Sequence, residues 1–305
     1  MKSHLKELVR ARMGKTGESY EQALRQVRAQ EERAPASSAA TEVAYSKSSA
    51  RAASVADTAY SIAVVRAEEG QRPESDRLFE DPYASLFAAT GAHAAEATQR
   101  FLELPFFRDG VRLRTRFLDD GVREALASGL SQLVLLGAGF DARALRLPEI
   151  AQRKVSVYEV DTEEQFQRKR GVLAQAGVQV PRSVSYVPSD LAAVDVQRDL
   201  TASLVAHGFR PGAGAVFVME GVIGYIDDVA IDRCLRFMAT AGGPGSRALF
   251  TFAASTFEPQ TAQERTRSAG FSACDEIAGD ALWRRYWPSE PHPNAWVTRV
   301  GTARV

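Results

Sequence analysis

Cysteine and histidine are scarce in this chain, with two and four among 305 residues. Cys234 and Cys274 lie far apart in sequence, which excludes a disulfide framework or a Cys-based zinc site and suits a reducing cytosol. His4, His93, His207 and His292 stand alone, and none has a carboxylate beside it near a recognisable motif. Each reads as a structural or solvated residue rather than a base. Net charge is also absent: Lys+Arg and Asp+Glu both number 38. No overall field therefore recruits nucleic acid or an anionic membrane. No apolar run approaches the ~18 residues that a membrane span needs. The opening residues, Met1 to Lys6, are not followed by an apolar signal region, so a cytoplasmic enzyme is expected.

What is present falls into three parts. Residues 1–40 read as a helical N-terminal extension and linker. Two charged helices break near Gly14 and Gly17, Ser19 and Gln22 form a capping-box pattern, and Ala34–Ala40 is small and polar. Two readings stand for this part: a solvated appendage, or a helical hairpin that dimerises or docks a partner. Residues 41–128 read as a helical cap. It has an apolar-rich helix from Ala53 to Arg66, and a helix start with Asp81 as N-cap and Pro82 at the first position. An amphipathic helix from Arg112 to Leu126 follows. From residue 129 the rhythm turns to strand and helix. Strands are expected at 132–136, 155–160, 184–188, 215–219 and 247–253, and helices at 162–176, 197–207 and 228–241. That alternation predicts an α/β fold, a Rossmann-like sheet that is mostly parallel. The tail, 295–305, is expected to form an antiparallel last strand. Proline-rich 254–294 reads as a lid over the core 129–305.

The most informative segment is Leu136-Gly137-Ala138-Gly139-Phe140-Asp141-Ala142-Arg143, which follows the apolar run Gln132–Leu136. The next expected strand ends in Glu159-Val160-Asp161. A glycine loop after one strand and carboxylates at the end of the next make a nucleotide-binding βαβ unit. The loop fits G-x-G-x-x-A, so a dinucleotide-dependent oxidoreductase has to be weighed. Two features argue against it. Asp141 sets a negative charge where a pyrophosphate would lie. The loop also follows a long helical segment, whereas a dinucleotide fingerprint usually opens its domain. No convincing Tyr-x-x-x-Lys pattern supports a proton donor for hydride chemistry.

S-adenosylmethionine fits these residues better. Its sulfonium and ammonium groups are cationic, so acidic side chains favour it. Asp161, with Glu159 nearby, can accept from a ribose diol. Asp190 and Leu191, just past the third strand, can hold adenine. Glu220, past the fourth strand, would face the methionine moiety and accept from its ammonium. An arginine from the preceding helices would pair with the methionine carboxylate.

Together these residues resemble the leucine carboxyl methyltransferase-like family of S-adenosylmethionine-dependent methyltransferases. The segments that carry the resemblance are Ser54–Ala59, Asp81–Ala84, Arg114–Asp120, Val134–Leu147, Tyr158–Asp161, Asp190-Leu191 and Glu220–Ile226. They keep the family's order over about residues 50–305. The resemblance implies a class I methyltransferase fold and the cofactor S-adenosyl-L-methionine. It implies that Arg114, or Arg116 in the other helix register, pairs with the methionine carboxylate. Gly137 and Gly139 would make the close-approach loop, Asp161 and Glu159 would meet the ribose, Asp190 and Leu191 the adenine, and Glu220 the amino-acid end. Gly224 departs from the family pattern, in which a larger residue is usual, and leaves acceptor size open.

Methyl transfer from a sulfonium is an in-line displacement that needs alignment and the exclusion of water. A carboxylate nucleophile is already ionised at neutral pH and needs no base, whereas a hydroxyl would want one. A chain with so few histidines therefore suits O-methylation of a carboxylate on a small molecule or peptide. Methylation of a hydroxyl is the alternative, and a non-catalytic S-adenosylmethionine-binding protein is the rival of another class. No catalytic base or metal ligand is assigned. Tyr225 is the one weak catalytic candidate. Apolar, mainly aromatic walls for the acceptor are expected from Phe101, Leu104, Phe106, Phe107, Tyr225, Phe257, Trp283, Tyr286 and Trp287, between the cap and the lid.

Overall fold

A computed structural model describes residues 55–91, 99, 102–104 and 106–305. The readings for residues 1–40, and those for His93, Phe101 and Pro105, lie outside these residues. The cap supplies α1 (Val55–Gly70), the short α2 (Ala84–Ala89) and α3 (Phe107–Ala127). The core then runs β1 (Gln132–Leu136), α4 (Arg143–Arg146), α5 (Pro148–Gln152), β2 (Ser156–Asp161) and α6 (Glu163–Gln175). Next come β3 (Val184–Pro188), α7 (Val196–Ala206), β4 (Val216–Met219), α8 (Asp228–Gly242) and β5 (Arg247–Ala253). The chain closes with α9 (Ala262–Ala269), β6 (Ala273–Ala278), α10 (Gly279–Tyr286) and β7 (Thr298–Arg304).

The seven strands form one sheet in the order β3-β2-β1-β4-β5-β7-β6. β1 to β5 are parallel, and β7 runs antiparallel to both β5 and β6. All five residues of β1 and all four of β4 are buried. That is why these strands read as unbroken apolar runs: helices cover both faces of a parallel sheet. Leu133, Leu135, Val157, Val216 and Val218 face α3, where Leu113, Leu118, Val122 and Ala125 receive them. The alternate residues Val134, Leu136, Tyr158, Val160, Phe217 and Met219 face α7 and α8, through Leu200, Leu204, Ile231, Leu235 and Met238.

The expected strands and the helices after β2, β3 and β4 are found, and the last strand is antiparallel. Two expectations need correction. The helix expected from Pro82 begins at Ala84; Asp81 instead holds the preceding turn, its Oδ1 accepting from Tyr83 N at 3.2 Å and Ala84 N at 3.1 Å. The segment 254–294 is not simply a lid, because it contains edge strand β6 between α9 and α10. Thr162 caps α6, its hydroxyl accepting from Gln165 N at 3.3 Å. Asp161 is thereby left for other work.

Candidate active site

Strand order reverses between β1 and β4, the place where open parallel sheets hold ligands beyond the carboxyl ends of their strands. A cavity of about 450 Å³ lies there. Its floor is Leu136–Asp141, Asp161-Thr162, Ser189–Ala192 and Glu220–Val222. Its roof comes from α1, through Thr58, Ile62 and Arg66, with Asp81 and Ala84 beside them, and Tyr225 and Ile226 complete the rim. No residue of 254–294 lines it. The aromatic walls expected from Phe257, Trp283, Tyr286 and Trp287 are therefore not here. Phe257 belongs to the core over β5, and the other three border a separate surface pocket with Arg72, Arg77 and Arg116.

The two loop glycines have different duties. Gly137 has φ +65°, and a Cβ there would penetrate Val222 Cγ2. This glycine lets the loops after β1 and β4 close on each other. Gly139 has φ +49°, and the nearest atoms to an added Cβ are 3.9 Å away. Its surroundings are open, and its N–H donates to Asp161 Oδ2 at 2.7 Å. Asp161 Oδ1 accepts from Thr162 N, also at 2.7 Å. Burial pushes the Asp161 carboxyl above its ordinary value, and the two N–H donors oppose that shift.

Asp190 and Leu191 also line the cavity, Asp190 exposed and tied to Ala192 N at 2.9 Å, Leu191 buried. Glu159 is placed differently. It is 2% exposed, lies outside the cavity lining and accepts from Lys169 Nζ at 2.6 Å. Lys169, itself 1% exposed, also donates to the Asp141 carbonyl, so this buried pair props the glycine loop from beneath. Burial raises Glu159's carboxyl, and Lys169 pulls it back.

Glu220 stands on the cavity wall but is already engaged by three guanidiniums. Its Oε2 accepts from Arg66 Nη2 at 2.9 Å and Arg143 Nη2 at 2.8 Å, and its Oε1 from Arg114 Nε at 3.1 Å. These cations overcome its burial and hold the carboxyl well below the usual range. Arg143 is wholly buried and also meets Asp141 and, at 2.8 Å, Asp119 Oδ1. Arg146 closes the cluster on Asp119 at 2.6 Å. The charge on Asp141, expected to repel a pyrophosphate, is thus spent on Arg143. What disfavours a dinucleotide is the following helix, α4, whose four residues are too short to present an oriented N-terminus to a phosphate. Arg114 faces this cluster. Arg116 points elsewhere, to Asp120 at 3.0 Å and the Leu78 carbonyl at 2.8 Å.

Sequence reasoning missed Arg66, Arg143, Lys169 and Gln165. Arg66 is the only arginine within the apolar face of α1's expected span, a signal that was available. Lys169 is hidden by its neighbours, since Gln167-Arg168-Lys169-Arg170 reads as a solvated run.

Among the described residues, two buried donors on cavity-lining side chains have no hydrogen-bond partner: Arg66 Nε and Gln165 Nε2. Arg114 Nη2, behind Gly221, has none among the described residues either. Such atoms are costly unless something polar meets them. Unmet donors and a carboxylate-ended strand around one cavity fit an amino-acid nucleoside. Residues 59–239 match the leucine carboxyl methyltransferase family. The chain belongs to this family of S-adenosylmethionine-dependent methyltransferases. A relative from Frankia alni, provisionally named as an S-adenosyl-L-methionine-dependent methyltransferase, is 32% identical over 256 residues, covering 80% of this chain and 81% of its own. One from Streptomyces coelicolor with the same provisional name is 35% identical over 201 residues. That match covers 62% of this chain and 66% of the relative, so the chain spans just under two thirds of it. A crystal structure of a provisionally assigned methyltransferase from Thermobifida fusca superimposes with a TM-score of 0.50 at 20% identity, covering 74% of this chain and 89% of that one. The likeness shows a shared methyltransferase fold. The family match begins at Ala59 and ends at Ala239, so α1 from Ala59 onward, the glycine loop, Asp161, Asp190 and Glu220 all fall inside it.

Proposed function

We propose that the chain transfers a methyl group from S-adenosylmethionine to a carboxylate of a small molecule or peptide in the cytosol, forming a methyl ester. One observation carries the choice of nucleophile. Among the described residues that line the cavity there is no histidine, lysine or cysteine. Tyr225 is there, but burial raises its phenol above the ordinary value, so it stays protonated and can donate rather than take a proton. An acceptor that arrives ionised needs no base.

When bound, the cofactor supplies an electrophilic methyl group on a cationic sulfur. The chain's work is to seat and orient it. Arg66 Nε and Arg114 Nη2, both buried and without acceptors among the described residues, would take the methionine carboxylate. Glu220 would act through them, fixing both guanidiniums from its two oxygens. Asp161 would accept from the ribose, its carboxylate pinned by Gly139 and Thr162. Asp190 would accept from the adenine amino group, beside the apolar wall of Leu191. Ala59, Ile62 and Ala63 on α1 would keep water from the roof.

The test is transfer of a radiolabelled methyl group to a panel of carboxylic acids and carboxyl-terminal peptides, followed by mild alkali. Methyl esters release volatile labelled methanol. Label that resists alkali would move the assignment to a hydroxyl acceptor. Cofactor binding without turnover on any acceptor would support a non-catalytic role, and binding of NADH alone would end the methyltransferase reading.

A further inference from the structure

Gln165 is the third residue of α6, the helix that begins immediately after Asp161. It is 7% exposed, it lines the cavity, and its Nε2 has no acceptor among the described residues. The capping turn explains its position. Thr162 Oγ1 accepts from Gln165 N, which folds the first turn of α6 back beside the end of β2. The buried residues of this helix are Gln165, Phe166, Lys169 and Leu173. Gln165 and Lys169 are one turn apart on the same face. Lys169 contacts the Asp141 carbonyl, so that face is turned to the glycine loop. One turn closer to the strand, Gln165 lines the same cavity as Asp161.

A buried primary amide with an unmet donor costs more than an apolar side chain of the same size would. An acceptor supplied by a ligand would offset that cost. Asp161 offers only acceptors to this corner, and both of its oxygens already take one backbone N–H. A ribose hydroxyl that donates to Asp161 keeps its own oxygen lone pairs free, and those need a donor.

Resting on the methyltransferase reading, we propose that the Gln165 side-chain amide donates to a hydroxyl oxygen of the ribose diol that Asp161 accepts from. Gln165 then makes the site selective for an intact ribose, as donor to Asp161's acceptor.

The test uses the full chain and calorimetric titration with S-adenosylhomocysteine and its 2′-deoxy and 3′-deoxy analogues. The variants are Gln165→Met, which keeps the volume, and Gln165→Glu, which keeps the shape but removes the donor. The wild type should prefer the parent over at least one deoxy analogue. Each variant should lose about tenfold for the parent and much less for that analogue, so the preference collapses. A merely structural Gln165 would weaken all three ligands equally, and that result would overturn the proposal, as would parent affinity retained in Gln165→Glu. If the wild type binds none of the three, the methyltransferase reading itself fails. If it binds them and the preference survives both substitutions, only the role of Gln165 falls.

Discussion

Arg143 Nη2 lies 2.8 Å from Glu220 Oε2, joining the loop after β1 to the loop after β4 by an ion pair whose side chains are 0% and 6% exposed. Both loops contribute to the cavity floor. Breaking such a pair strands charge in a place water cannot reach. Arg143→Met leaves Asp119, Asp141 and Glu220 short of a partner and should cost about 3–5 kcal/mol, read from the denaturation midpoint in urea. Arg143→Lys should recover little, because a single ammonium cannot serve three carboxylates in three directions.

The same cluster gives the fold an acid limit. Glu220's folded pKa lies below its ordinary value of 4.5. Its contribution is therefore complete at pH values above 4.5 and is lost as the pH falls from there toward the folded value. Urea midpoints should drop steeply over that range. Glu220→Gln should start lower at neutral pH and decline less.

Gly137 and Gly139 should respond differently to alanine. Gly137→Ala pushes a methyl into Val222 and should destabilise by about 1–3 kcal/mol, with Val222→Ala restoring part of the loss in a double-mutant cycle. Gly139→Ala meets no such obstacle and should weaken nucleoside affinity more than stability, since it strains the amide that pins Asp161.

Asp161 should impose a pH limb on cofactor binding. Its carboxyl is raised by burial, so it protonates at a higher pH than a free aspartate. Affinity for S-adenosylhomocysteine should fall as the pH drops through that raised value. Asp161→Asn should bind weakly at every pH and lose the limb.

Lys169→Met should destabilise by about 3–5 kcal/mol at pH 8, and the deficit should shrink as the pH falls, because a protonated Glu159 no longer needs a partner. Glu159→Gln combined with Lys169→Met should be more stable than Lys169→Met alone. The measurement is the unfolding midpoint of the three variants at two pH values.

The parallel half of the sheet was legible because burial on both faces leaves no room for polar residues. Leu133–Leu136 and Val216–Met219 announce themselves. β6 was not legible, because Ala273-Cys274-Asp275-Glu276-Ile277-Ala278 is an edge strand with its carboxylates in solvent. Its identity is set by β7, far along the chain. In the site, the backbone motifs could be read but the charge pairing could not. Gly139 and Asp161 follow from the βαβ pattern. That Glu220 answers to Arg66, Arg114 and Arg143 depends on helices and loops separated by 154, 106 and 77 positions. Asp141 illustrates the cost: its charge was visible, its cancellation was not.

β7 lies between β5 and β6, and among the described residues no other strand flanks β6. On the ribosome, the strands around the nucleoside cavity can pair as soon as β5 has emerged, but β6 must wait unpaired until the residues up to Arg304 follow it. Shortening the chain past Thr298 would orphan β6 and leave β5 as a bare, sticky border.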